Sequence, residues 1–377
     1  MGERFTLNNR VGMKTRRRFI TGAAAIAVAP FISTRVTRAL ADASRKKLGF
    51  ALCGLGSLST HQLAPALAKT QRCRLAGIIT GTPAKAASWR GQYQIAERNI
   101  YNYESMHRIA DDRDIDVVYV VTPNALHLDY ALIAAKAGKH VLCEKPMEVS
   151  VERCQRMIEA VRGAGRMLAI GYRCRFEPHH LECVRIARQR EFGALKIIDA
   201  HFGFSIEPSG WRLNRALAGG GPLMDVGIYA LQATRYLTGE EPVWVSATST
   251  RGDPGRFSEV EESILWQSRF PGGAVSHCGA SYSGAATGYF RAIAERGWFG
   301  LDPAFNYDGI RGSRSDGRSI DEPGIDQFAA EMDDFARCVL EGQPTKVPGE
   351  EGMRDVRIMQ AVYESARLGK PVELQGV

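Results

Sequence analysis

From residue 48 onward, apolar positions fall into short, nearly continuous runs that alternate with stretches of helical spacing. The first run is 48–53, and in 61–69 Leu63, Ala66 and Leu67 fall on one helical face. Similar runs at 74–80, 115–121, 140–143 and 167–171 are separated by helical stretches at 85–93, 126–137 and 151–164. Strands apolar along their whole length are covered on both faces. This half therefore predicts an α/β domain built on a doubly wound parallel sheet.

Beyond residue 171 the pattern lengthens. A helix is predicted at 178–190, and strand-like stretches at 194–204, 243–250, 261–270, 274–282 and 289–295 read as an open, mainly antiparallel sheet. A helix at 222–237 interrupts them, and helices at 325–340 and 350–368 close an α+β second domain. The segment 302–324 is rich in Gly, Ser, Asp and Arg and reads as an exposed loop. The expected division is 1–41, 42–170 and 171–377.

Charge changes the picture at one end only. The chain of 377 residues carries a formal +8, of which +7 lies in residues 1–41, leaving a body close to neutral. A near-neutral body lacks the basic face that displaces counterions from nucleic acid, so nucleic-acid binding is excluded. Within 1–41, Arg16-Arg17-Arg18-Phe19 precedes a weakly apolar stretch and Ala39-Leu40-Ala41. This order resembles a twin-arginine export signal cleaved after Ala41, which predicts a periplasmic or otherwise exported protein with no stable membrane insertion. None of the eight cysteines forms a C-x-x-C pair. Buried free thiols are expected, and no metal site.

Candidate chemistry gathers at the predicted strand ends. Gly54-Leu55-Gly56-Ser57-Leu58-Ser59 follows the first strand and opens a helix, as a dinucleotide-binding turn does. The second strand ends in Thr80-Gly81 with Lys85 nearby, and no acid stands there to hold a ribose 2′-hydroxyl. That favours NADP, with Lys85 toward the 2′-phosphate. At the next strand end, Pro123, Asn124 and His127 are candidates for the cofactor ribose, and Glu144-Lys145-Pro146 points a lysine at the cleft. After Gly219-Gly220-Gly221, Asp225 and Tyr229 stand four apart on one helical face, suited to serving one substrate.

Taken together, Gly54-Leu55-Gly56, Cys143-Glu144-Lys145-Pro146, Gly171-Tyr172-Arg173-Cys174, Trp211-Arg212-Leu213, the triple glycine and Asp225-Val226-Gly227-Ile228-Tyr229 resemble the glucose-fructose oxidoreductase branch of the Gfo/Idh/MocA family. The resemblance implies a Rossmann domain joined to an open-sheet domain, and an NADP-dependent oxidoreductase oxidising an aldose or related pyranose to a lactone. It further implies return of the hydride to a second sugar carbonyl, and a homo-oligomer, dimer or tetramer. By this carry-over Tyr229 is the acid/base, Lys145 its electrostatic partner and Asp225 the orienting group, with Arg173, Trp211 and Arg212 lining the nicotinamide side. The branch carries a long proline-rich arm over the cofactor, whereas here only residues 42–47 separate the expected cleavage site from the first strand. Two alternatives remain at this stage: an NAD-dependent glycoside hydrolase of the same family, which Tyr229 and the missing ribose acid disfavour, and a non-catalytic nucleotide-binding protein.

Overall fold

The structure is a computed structural model describing residues 47–374, so the export signal expected at 1–41 lies outside the described residues. Six strands form the first sheet: β1 (Leu48–Cys53), β2 (Cys73–Ile79), β3 (Ile100–Tyr101), β4 (Val117–Val120), β5 (His140–Glu144) and β6 (Leu168–Gly171). Their order is β3-β2-β1-β4-β5-β6, and every pairing is parallel. All of β1 and β4 is buried, as central strands covered by helices on both faces must be. Strand order reverses at the β1/β4 junction, where a crevice opens beyond the carboxyl ends of the strands. The two-residue β3 escapes sequence reading because so short a strand carries no periodicity.

Helices α1 (Ala64–Lys69), α2 (Pro83–Tyr93), α3 (His127–Lys136) and α4 (Val151–Gly163) connect these strands. The expected helix from 61 begins differently: a five-residue π turn, Ser59–Leu63, leads into α1.

The second sheet has nine strands: β7 (Leu195–Gly203), β8 (Trp244–Thr250), β9 (Ser263–Arg269), β10 (Val275–Ser281), β11 (Thr287–Ala294), β12 (Gly297–Leu301), β13 (Gly312–Arg314), β14 (Ser319–Ile320) and β15 (Val372–Glu373). They run in the order β14-β13-β12-β11-β7-β10-β9-β8-β15. Only β7 and β10 pair in parallel. Along β9, Ile264, Trp266 and Ser268 are buried while Leu265, Gln267 and Arg269 are exposed, so one face packs and the other stays open. Helices α5 (Pro178–Arg188), α7 (Ile228–Thr238) and α9 (Gly349–Leu368) cover the packed face, and the one-turn α6 (Arg215–Ala218) precedes α7.

Helix packing does not stop at the expected cut at 170: α8 (Gln327–Glu341) returns to pack on α1 and β2. The Asp333 carboxylate accepts the backbone N–H groups of Gln71 at 2.8 Å and Arg72 at 2.7 Å, and Pro348 bridges to Ala169 on β6. The amphipathic pattern of α8 announces a buried face but not which domain supplies the partner. Nor is 302–324 simply an exposed loop. Ala304 and Phe305 are buried, and the segment contains β13 and β14. All eight cysteines are buried and free.

Candidate active site

Between the β1/β4 switch point and the packed side of the large sheet lies a cleft of about 1330 Å³. That exceeds the roughly 300–1,000 Å³ of an ordinary small-ligand pocket and leaves room for a dinucleotide beside a small substrate. Every site residue singled out from the sequence lines it.

The glycine turn forms one end. Gly54 adopts φ +101°, and a Cβ there would lie 2.5 Å from the Val121 carbonyl oxygen, so only glycine fits. At Gly56 a Cβ would meet nothing within 4 Å; the backbone is bare toward the cleft, as close approach of a pyrophosphate requires. Ser59, fully buried, donates its hydroxyl to the Gly54 carbonyl at 2.6 Å and closes the turn. Leu55, Ser57 and Leu58 complete the same rim. Across the β2 end, the Thr80 hydroxyl accepts the Thr82 N–H at 3.3 Å, and Gly81 leaves room for the Tyr103 ring. Lys85 is exposed and donates to the Leu55 carbonyl at 2.9 Å, which holds its ammonium over the turn. A bare phosphate-facing backbone with a cation beside it fits a dinucleotide.

Farther along the cleft, Pro123 lies on the wall and Asn124 donates its side-chain amide to the Ala218 carbonyl at 2.9 Å, tying the two domains together. His127 departs from expectation. It is fully buried, with Nε2 facing the Thr122 carbonyl at 2.9 Å and Nδ1 facing those of Pro146 at 3.0 Å and Met147 at 3.2 Å. Both ring nitrogens are engaged by backbone, so the histidine braces the loops that carry the site and has no nitrogen to offer a ribose.

The chemical centre lies where β5, β6 and α7 converge. A second five-residue π turn, Leu223–Gly227, precedes α7, and such turns recur at functional sites. The buried Glu261 accepts the N–H groups of Gly221 at 3.0 Å and Leu223 at 3.3 Å and the Tyr363 hydroxyl at 2.8 Å, fixing where this element starts. The Lys145 ammonium donates to the Asp225 backbone carbonyl at 2.6 Å and reaches its Oδ1 at 3.4 Å. Asp225 Oδ2 accepts from Arg212 Nε at 2.9 Å and from the Tyr282 hydroxyl at 3.0 Å. Burial alone would raise the Asp225 carboxyl, but Arg212 and Lys145 outweigh it and hold the group below its usual range. Arg212 in turn stacks on Trp211, 4.6 Å from the ring centre.

Tyr229 is nearly buried, and its hydroxyl accepts a hydrogen bond from Arg173 Nε at 3.1 Å. Lys145 and Arg173 each stand 4.8 Å from the ring centroid. The cation expected at the phenol was Lys145; the structure puts Arg173 on the oxygen and Lys145 over the ring. Burial raises the Tyr229 phenol well above its ordinary value, with Arg173 opposing. Arg173 is held by the Gln327 side chain at 2.6 Å and the carbonyls of Phe305 at 2.6 Å and Asn306 at 3.2 Å.

Behind the cleft a single phenol joins two carboxyls. The Tyr119 hydroxyl lies 2.7 Å from Glu144 Oε1 and 2.9 Å from Glu331 Oε1, all buried. Tyr119 has one proton to give, so the other contact takes its proton from a carboxyl. Burial pushes both acids up, Glu331 well above its ordinary range, which marks Glu331 as the neutral partner. Sequence reasoning missed Tyr119, Tyr282, Phe305, Tyr307, Gln327 and Glu331. Phe305 and Tyr307 line the cleft, and Tyr282, Gln327 and Tyr119 hold Asp225, Arg173 and Glu144, which do.

A dinucleotide-binding sheet with a cleft against an open-sheet domain, holding a buried lysine, carboxylate and tyrosine, defines a two-domain nicotinamide-dependent oxidoreductase. Residues 48–172 match the oxidoreductase family with NAD-binding Rossmann fold, and residues 180–300 match the GFO/IDH/MocA C-terminal domain. The chain belongs to the GFO/IDH/MocA oxidoreductase family. It is 32% identical over 335 residues to D-xylose 1-dehydrogenase [NADP(+)] of Haloarcula marismortui, covering 86% of this chain and 92% of that one. Among solved structures it is similar to aldose-aldose oxidoreductase from Caulobacter crescentus complexed with glycerol, with 43% identity, a TM-score of 0.84, and coverage of 87% of this chain and 100% of that one. Levoglucosan dehydrogenase in complex with NADH and levoglucosan shares the fold at 22% identity and TM-score 0.77, covering 87% of this chain and 99% of that one.

Proposed function

We propose that this chain is an NADP-dependent sugar oxidoreductase that oxidises an aldose or related pyranose at its anomeric carbon to the lactone, and that it returns the hydride to a second sugar carbonyl. The observation that carries this reading is the convergence of Lys145, Asp225, Tyr229 and Arg173 in the cleft that the glycine turn closes at its other end. Similarity to an aldose-aldose oxidoreductase and to NADP-dependent xylose dehydrogenases supports the sugar substrate. The cofactor assignment rests on the absence of an acid at 80–82 and on Lys85 over the turn.

The bound dinucleotide supplies the hydride acceptor. The protein's own residues manage the proton and the pose. Tyr229 Oη, with Arg173 donating to it, exchanges a proton with the reacting sugar oxygen. Lys145 is anchored on Asp225 through two contacts, which leaves one N–H to orient the same oxygen. Asp225, with Arg212 and Tyr282 on its other oxygen, fixes Lys145 in place, and Trp211 with Arg212 forms the wall beside the substrate. The rings of Phe202 and Phe305 pack against Tyr229 and keep water from this end of the cleft.

Two further parts of the reading concern the whole protein. It is exported through the twin-arginine signal at 1–41, already folded and loaded with cofactor. It also assembles as a homo-oligomer, for which the exposed Ile197, Leu265, Val275 and Ile293 on the open sheet face offer apolar surface.

A panel of aldoses including D-xylose and D-glucose, followed by NADPH fluorescence on wild type and Tyr229→Phe, tests the assignment. Wild type is expected to reduce NADP with at least one aldose, and Tyr229→Phe to lose about 10²- to 10⁴-fold in kcat while still binding NADP. Unchanged turnover in the variant removes Tyr229 from the mechanism.

A further inference from the structure

The open face of the large sheet, on the side away from the packed helices, carries a second polar cluster. Asp199 and His201 are two apart on β7 and project from the same face, while the intervening Ala200 is buried on the other. On β10, His277 stands directly opposite Asp199 in the register. His201 Nε2 lies 2.9 Å and His277 Nδ1 3.3 Å from the same carboxylate oxygen, Asp199 Oδ1, and the donor atoms of all three residues lie within 4.8 Å of one another.

We propose that Asp199, His201 and His277 form a binding site for a divalent transition metal ion of the zinc class. Zinc bonds of about 2.0–2.2 Å to nitrogen and oxygen, at angles between square and tetrahedral, set neighbouring ligand atoms about 2.9–3.4 Å apart. The two nitrogen-to-Oδ1 separations fall in that window. Two imidazoles and one carboxylate form a donor set suited to zinc, cobalt or nickel and poorly suited to magnesium or calcium.

The surroundings support this set. Gly279 stands opposite His201, and a Cβ there would lie 2.4 Å from His201 Nδ1, so the glycine makes room for the ring. Tyr289 on β11 stacks on His201 with centroids 5.4 Å apart and donates its hydroxyl to the other Asp199 oxygen, Oδ2, at 3.2 Å. Outer contacts of this kind orient metal ligands. Arg291, the register partner of Asp199 on β11, stacks its guanidinium on Trp298 at 4.3 Å, leaving Oδ1 to the two imidazoles. This goes against the expectation of no metal site, which rested on the lack of paired cysteines; histidines brought together by strand register leave no such spacing in the sequence.

The test uses the untagged full chain, stripped with chelator and titrated with zinc by calorimetry and with cobalt by visible absorption. One ion per chain is expected, with cobalt giving the d–d bands of a low-coordinate nitrogen and oxygen site. Asp199→Asn, His201→Gln and His277→Gln are each expected to weaken zinc binding about 10- to 100-fold or more. Each variant is first checked for an unchanged metal-free thermal midpoint and wild-type oxidoreductase activity, and any variant failing those checks is set aside in favour of the other two. Absence of stoichiometric binding, or binding that the folded variants leave unchanged, overturns the proposal.

Discussion

The proton on Tyr229 decides in which direction the cleft works best. Arg173 already donates to the phenol oxygen, so the phenol's own proton is free to point at a bound substrate. A phenol gives its proton readily to a sugar carbonyl but must lose it before it can take one from a sugar hydroxyl. Burial holds Tyr229 in the protonated form to higher pH than a free tyrosine, so deprotonation is postponed. The expected kcat/KM for aldose oxidation therefore keeps rising through about pH 10, while carbonyl reduction stays level over the same range. Initial rates in both directions across a pH series check this, and an oxidation profile that flattens near neutrality would assign the proton to another group. Sequence reading named the residues that meet here but not their pairing. Asp225, Lys145 and Tyr229 were legible from their strand-end and helical positions. That Arg173 takes the phenol while Lys145 takes Asp225 depends on how β6 and α7 approach, which no spacing records.

Among the elements, α7 is the one whose placement matters most, because it carries Tyr229 and emerges from the π turn that holds Asp225. Its far end is pinned by Arg235, which is buried and bonds Asp355 at 2.5 Å, Glu241 at 2.5 and 2.6 Å and Glu351 at 3.1 Å. Burial pushes Asp355 up to about 6 even with Arg235 beside it. Arg235→Gln would leave these acids without their cation, and removing one partner of a buried pair costs about 3–5 kcal/mol. Urea unfolding is expected to show a loss of that size, with the KM for NADP unchanged in the folded fraction; a loss under 1 kcal/mol would mean α7 is anchored elsewhere. The elements themselves were largely readable. β1 is observed at the residues where its apolar run lies, and five of the nine strands of the open sheet, β7 to β11, fall within two residues of their expected stretches, while β12 and β15 were not read. What stayed hidden were elements without periodicity: the two π turns, the two-residue β3, and the 302–324 segment, whose polar composition concealed Phe305 and Tyr307 at the cleft.

For the whole molecule, the cleft joins two domains that the chain crosses more than once, through α8, through the 347–348 contact with β6 and through the Asn124 bond to Ala218. A dinucleotide lying in that cleft touches both sides and should stabilise them together. At a free concentration of 100 times Kd the linkage amounts to about 2.7 kcal/mol. Thermal melts with equal NADP and NAD are expected to show the larger upward shift with NADP, and Lys85→Ala to shrink that difference. Equal shifts would remove the 2′-phosphate from the reading of Thr80, Gly81 and Lys85. The two-domain plan was legible in the change of pattern near 171. The return of α8 to the first domain was not, because a helix's apolar face does not name what it will cover.

The central claim is that hydride leaves the anomeric carbon of an aldose for a nicotinamide held against Tyr229, and an aldose deuterated at C1 tests it most directly. Incubated with the enzyme and NADP, it is expected to yield lactone and reduced cofactor carrying the deuterium on its nicotinamide ring, with turnover slowed by a primary isotope effect. Lactone whose C1 deuterium reaches neither the nicotinamide nor the second sugar reduced from it, or a product oxidised at another carbon with the C1 deuterium retained, would contradict the account.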